Sequence, residues 1–251
     1  MQTLHTLRIK RYCYLLILLF FGIAPLRAQL KNTPQDSLLF ERNNFKITAT
    51  KATHNDTVIY NTKKDSLNFF KNNITEPTEC KVFFSSHYNP LSLVGPYYSY
   101  EYGVATQEAC GLMGNTLGIA TVNINTMQKV TLQELFTEKS LLKALKNDSW
   151  IKELGQLNNI PISKIKTFKT FLYFLSDTTS MQFSTQSFAV LDYNSATNEA
   201  QVRFVAQEYI GYDHNKHFQL GLTLQPKENL KEVFKSQIDF KLGAYKNGLI
   251  K

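Results

Sequence analysis

The sequence predicts an α+β domain, a mainly antiparallel sheet packed by a few helices. Three observations carry this. β-branched and aromatic runs recur between turn formers at intervals of about a dozen residues in the last third of the chain, as in a meander. Between residues 130 and 160, and again over 227–237, apolar residues instead fall three and four apart, the helical period. No Pro- or Ser-rich linker, internal repeat or low-complexity block divides the chain, so one domain is expected over residues 45–251.

The chain opens like an export signal over residues 1–28. Arg8, Lys10 and Arg11 precede an apolar run, Tyr12 to Pro25, and small Ala28 stands before Gln29. The run falls short of the roughly 20 residues a spanning helix needs, and no other stretch is apolar enough, so no transmembrane helix is expected in the mature chain. Cys13 lies ahead of the apolar core, which does not fit a lipid-modified cysteine at the cleavage point. The segment carries four bases and no acid, half of the formal net charge of +8. No block of five like charges occurs, so neither a nucleic-acid groove nor a polybasic membrane patch is expected.

Residues 29–44, with Pro34, read as a polar leader into the domain. Asn44 to Asn61 reads as two strands around His54-Asn55-Asp56, and Asp65 to Asn73 as one or two helical turns. Cys80 to Tyr88 is strand-like, and Asn89 to Pro96 interrupts it. The next strand alternates clearly. Tyr98, Tyr100, Tyr102 and Val104 share one face; Tyr97, Ser99, Glu101 and Gly103 share the other. A glycine-containing loop, Glu108 to Asn115, leads to a strand over Thr116–Asn125 with Ala120, Val122 and Ile124 on one side. After a turn at 125–129, Thr131 and Glu134 have capping-box spacing. Helix follows through Leu154, split near Asn147-Asp148-Ser149 and ended by Pro161. Strands are expected over Thr170–Asp177, Met181–Tyr193, Glu199–Tyr209 and His217–Gln225, then a short helix over Lys227–Gln237.

Export sets the reading of the cysteines. The mature chain keeps Cys80 and Cys110, and in an oxidising compartment an isolated pair reads first as a disulfide, with two separate buried thiols as the alternative. Strands joined near Pro90–Pro96 would bring the two positions together.

Chemical motifs are sparse. The sequence carries no phosphate loop, dinucleotide fingerprint, nucleophile elbow or two-His zinc motif, so no catalytic residue and no cofactor is expected. His214 and His217, beside Asp213, come nearest to a metal set, but they sit in a turn with no further ligand at matching spacing, so no metal is expected. The candidate ligand-binding residues are Tyr97, Tyr98, Tyr100, Tyr102 and Leu112, since rigid amphipathic rings suit recognition. Plain sheet packing of the same rings is the competing reading.

The segment Tyr98 to Phe136 resembles the extracytoplasmic sensor domain of the RsiV anti-sigma factors. That family has a tyrosine-rich strand, a glycine-containing loop, an Asn–Phe–Asp–Leu strand with a Thr–Gly–Lys turn, and a Thr–Leu–x–Asp–Leu–Phe segment. Here Val122-Asn123-Ile124-Asn125 matches the strand, and Thr126-Met127-Gln128-Lys129 the turn, with Met127-Gln128 for the glycine. Thr131-Leu132-Gln133-Glu134-Leu135-Phe136 matches the last part, and Phe171 to Phe183 is similar to the next strand pair. The family's Gly–Gly–Ala–His loop is replaced by Glu108-Ala109-Cys110-Gly111. The resemblance implies an exported α+β domain without a general catalytic constellation, in some members contacting lysozyme, and it does not bring the anti-sigma role with it.

The function expected is therefore an exported, periplasmic or extracellular, non-catalytic binding module of a bacterial cell envelope, with an envelope protein or cell-wall glycan as partner. An envelope glycan hydrolase using Glu101 and Glu108, and a structural part of an envelope assembly, are the alternatives.

Overall fold

The computed structural model describes residues 36–64, 82–108, 113–207, 218–235, 238–243 and 245–250. They form an α+β fold of three antiparallel sheets with helices on one side. The first sheet is a meander of β1 (Leu38–Arg42), β2 (Phe45–Thr48), β3 (Lys51–His54) and β4 (Thr57–Asn61). Two of its turns, Asn43-Asn44 and Asn55-Asp56, have positive φ at both central residues, the geometry whose twist matches a two-residue hairpin. Asn44 Nδ2 donates to Asn55 Oδ1 (3.1 Å) and ties the two turns together. The expected polar leader thus ends earlier than residue 44: Leu38–Arg42 is already a paired strand. The two strands expected over Asn44–Asn61 are three, because the chain also turns at Ala49-Thr50.

The central sheet is built on long strands, β5 (Val82–Val94), β6 (Tyr97–Glu108) and β7 (Met113–Asn123), with the short β8 (Gln128–Lys129) at one edge. β5 runs through Pro90, where a break was expected. A register shift between Pro90 and Ser92 absorbs the residue that cannot donate, so the ladder resumes beyond it. Gly95 (φ 56°) followed by Pro96 closes the β5–β6 hairpin in two residues.

The helices follow. In α1 (Leu132–Leu135) the capping box is complete: Glu134 N donates to Thr131 Oγ1 (3.2 Å) and Thr131 N to Glu134 Oε2 (2.5 Å). α2 (Glu138–Asn147) and α3 (Ser149–Leu157) divide at Asp148, which closes one helix and caps the next through Ile151 N (2.9 Å). The strand expected over Thr170–Asp177 is instead part of helix α4 (Phe168–Thr179). Phe168, Phe171, Phe174 and Leu175 are buried at helical spacing, and Thr167 caps the start through Thr170 N (3.1 Å). The dense Phe/Leu/Tyr composition suits either state; the three- and four-residue spacing is what buries a face.

The third sheet comprises β9 (Gln182–Asn194), β10 (Glu199–Gln207) and β11 (Gln219–Leu224), in the order β9-β10-β11. A 3-10 turn and α5 (Lys231–Lys235) lead to two strands that the sequence did not announce, β12 (Ile238–Lys241) and β13 (Gly248–Ile250). β12 adds to the central sheet beside β5, and β13 to the third sheet beside β11. Between them Leu242 N and Gly243 N both donate to Leu91 O (2.7 and 3.0 Å), and the chain crosses so near Gly221 that a Cβ there would lie 1.7 Å from Lys246 O.

Packing follows the strand alternation. Phe45, Ile47, Ala52 and Tyr60 of the first sheet bury against Tyr88, Tyr98, Tyr100 and Val122 of the central one. Phe188, Val190, Val202, Phe204, Leu220 and Leu222 of the third sheet face Leu141, Leu145, Ile151, Phe168 and Phe171 of the helices. The central and third sheets meet through a small cluster, Leu91, Ile119, Ala189, Leu191 and Val205. No helix among the described residues is long and apolar enough to cross a membrane.

Candidate functional site

Tyr98, Tyr100 and Tyr102 point together from β6, as the alternation predicts, and the first sheet covers them. Tyr98 is 0% and Tyr100 2% exposed, while Tyr102 is half-buried. Tyr98 stacks on Tyr100 (5.3 Å between centroids), Tyr60 stacks on Tyr88 (4.6 Å), and Phe45 meets Tyr98 edge-on (5.0 Å). The Tyr88 and Tyr98 hydroxyls bond each other. Burial pushes both phenols well above the usual tyrosine value, so both stay neutral hydrogen-bonding groups. Tyr97 points the other way, into the helix-side core beside Phe234 (5.1 Å). Three of the five recognition candidates are therefore interior packing residues. Tyr102 keeps partial exposure, with its ring lying over Gly118, where no Cβ would fit, and Lys129 Nζ 5.6 Å from the ring centre. Leu112, the cysteines Cys80 and Cys110, and the Asp213, His214 and His217 group lie outside the described residues.

On the opposite face of the central sheet, Ser92, Ser99 and Thr121 stand directly across β5, β6 and β7 from one another. This row of hydroxyls receives the backbone of β9. Val190 N donates to Ser99 Oγ (2.9 Å), Ser99 bonds Thr121 Oγ1 (2.9 Å), Thr121 Oγ1 donates to Phe188 O (2.8 Å), and Ser92 donates to Val190 O. β9 is the outermost strand of its sheet, and these side chains occupy the backbone groups of its buried open edge. Because one row across three strands meets neighbouring residues of a single strand, β9 runs across the central strands rather than along them.

Glu101 lies on that same face. Asn89 Nδ2 donates to its Oε1 (3.1 Å) and Arg203 Nη1 to its Oε2 (3.5 Å), with both side chains of the ion pair mostly buried. Both carboxylate oxygens are thus held by structural partners. Burial pulls the Arg203 guanidinium below its usual value, while Glu101 acts in the opposite direction. Glu108 belongs to β6 by its backbone; its side chain lies outside what the structure describes. Among the described residues no three His, Cys, Asp or Glu side chains gather as a metal set.

A built depression lies at one end of the tyrosine core. Three turns and a helix converge there: Arg42 and Asn43 from the β1–β2 turn, Gly95 and Pro96 from β5–β6, Ile124 and Asn125 after β7, and Glu232 and Val233 from α5. Phe45, Leu93 and His54 complete a groove of about 530 Å³, within the size range of ligand sites. His54 is oriented by its Nδ1, 2.6 Å from Ile124 O, so Nδ1 carries the proton and donates; Asn55 Nδ2 lies 3.5 Å from Nε2. Glu232 pairs with Lys235 (2.7 Å) on the exposed side of α5. Sequence reading missed this groove because Arg42 and Asn43 fell in the expected leader and the other walls come from distant turns. The Asn43-Asn44 pair was the available signal, as a two-residue hairpin turn.

In comparisons with known proteins, the chain matches no family model and no curated sequence.

Proposed function

We propose that the chain is an exported, non-catalytic binding module of a bacterial cell envelope, and that it holds its protein or glycan partner in the groove of Arg42, Asn43, His54, Ile124, Asn125 and Val233. The observation that carries this is the convergence of three sheet turns and a helix on one cavity with an apolar floor and a polar rim. The signal-like leader and the resemblance to exported sensor domains support the setting. The hydrolase reading draws no support from Glu101, whose two oxygens are engaged by Asn89 and Arg203.

The test is affinity capture from native envelope extract with the exported full chain. A component enriched by the parent chain and lost with Ile124→Glu, while the melting temperature stays within a few degrees, supports the reading. Equal capture by both proteins removes the groove from it.

A further inference from the structure

A second cavity lies at the edge of the third sheet and shares no residue with the groove. It arises where β13 stops short of the end of β11. Ala206 N donates to Phe218 O (2.8 Å), so the even-numbered residues of β11 spend their backbone groups on β10 and the odd-numbered ones turn theirs outward. On that outer side Gly221 is paired with Gly248 of β13. Gln225 is closed by the start of α2: its N–H donates to Ser140 Oγ (2.7 Å) and its carbonyl accepts from Thr137 N (3.5 Å). Thr223, between them, has no partner for its N–H or C=O among the described residues. One rung of the ladder is therefore open, with a closed rung on each side, and a pocket of about 220 Å³ surrounds it.

The walls bring opposite charges from opposite faces of β11. Leu222 and Leu224 bury with Leu141 and Leu145 of α2, so Lys143 of α2 lines the pocket from the helix side. Thr223 Oγ1 bonds Tyr245 Oη (2.9 Å) on the other face. Glu199 belongs to that face as well, because its neighbour Ala200 is buried on the helix side. Among the described residues neither Lys143 nor Glu199 has an ion-pair partner, and they are not paired with each other. Asp148, the remaining charged group of the lining, has Oδ1 engaged by Ile151 N (2.9 Å).

We infer that this pocket binds a small zwitterion, an unblocked α-amino acid or dipeptide, whose backbone completes the rung at Thr223 with its carboxylate toward Lys143 and its ammonium toward Glu199. The Thr223 N–H donates to a carboxylate oxygen, and the Thr223 carbonyl accepts from the ligand nitrogen. The closed rungs at Gly221 and Gln225 leave about 13 Å of strand between them, too little for a longer peptide to add along the edge. The charged ends supply the affinity, so blocking either end removes one charge-assisted contact.

The experiment titrates the exported full chain, isotopically labelled on nitrogen, with alanine, alanyl-alanine, N-acetylalanine and alaninamide, and follows the backbone amide resonances. Alanine or alanyl-alanine should move the Thr223 amide downfield and bind roughly tenfold tighter than either singly blocked form. The tighter of the two fixes the length of the ligand. Lys143→Gln should level alanine with alaninamide while N-acetylalanine stays weaker, and Glu199→Gln should do the reverse. Thermal melts verify that both variants fold, and the reciprocal pattern is a signal that a merely unfolded variant does not give. No movement of the Thr223 amide, equal binding of blocked and unblocked forms, or a discrimination unmoved by both variants each overturns the inference. Binding lost in Ile124→Glu also overturns it, because it moves the ligand to the groove.

Discussion

The two faces of the central sheet are separated only by the alternation of side chains, and they solve opposite packing problems. On one, Tyr98, Tyr100 and Val122 with Tyr88 fill a thick layer against the first sheet. On the other, the neighbouring Ser99, with Ser92 and Thr121, is small enough for the β9 backbone to come within hydrogen-bond distance. Sheets stacked through full side chains stand about 10 Å apart; a row of hydroxyls closes that distance locally. Residue size sets the gap, and polarity sets what enters it: rings where another apolar face arrives, hydroxyls where an unpaired strand edge arrives.

The largest test of this contrast is Tyr98→Ala, which should cost about 3–5 kcal/mol because it empties the centre of the aromatic layer. A denaturant-midpoint shift equivalent to under about 1 kcal/mol would mean that the first sheet is not seated there. The next concerns the hairpin that both faces share. Val82 stands opposite Glu108, and Cys80 and Cys110 each lie two positions further along their own segments. We propose that they are bridged; reduction should then cost about 3–4 kcal/mol. Peptide mapping without reductant should recover the linked pair, and recovery of two free thiols ends that proposal.

The hydroxyl face should respond unequally. Ser99→Ala strands the Val190 amide and should cost about 1–3 kcal/mol. Ser92→Ala should cost less, because Val190 O also lies 3.3 Å from Ser99 Oγ. Equal losses would show that the row acts only through packing. A last effect, absent at neutral pH, separates the faces by pH. Burial raises the Tyr88 and Tyr98 values in the folded chain, so stability is intact below the unfolded tyrosine value near 10 and falls above it. Each phenol should remove about 1.4 kcal/mol per pH unit once the unfolded form ionises. Tyr88→Phe with Tyr98→Phe should flatten the decline in melting temperature above pH ~10, whereas Ser99→Ala should leave its slope unchanged.

Local chemistry made part of this readable in advance. The Tyr98/Ser99 alternation, the Thr131–Glu134 box and the division at Asp148 each depend on residues within one or two turns of chain, and each is present. α4 was misread because Phe171 to Phe174 satisfies strand composition, while its helix depends on a distant sheet, with Phe168 packing on Phe204 (6.4 Å). The hydroxyl row was out of reach for a related reason. Ser99 is small and polar in any sequence, and its role exists only once Val190, 91 positions away, arrives. β12 and β13 are too short to carry a pattern, and each forms by adding to an existing edge. The groove combines both difficulties, with walls drawn from five separate places in the chain.

The two late strands have a consequence for when the fold can close. β12 and β13 lie within 13 residues of each other and supply the outer strand of two different sheets, like a clasp fastened on both sides. They also follow every other described strand in chain order. Until residues 238–250 are in place, β5 and β11 each present an open edge, so the two sheets are completed only by the last described stretch of the chain.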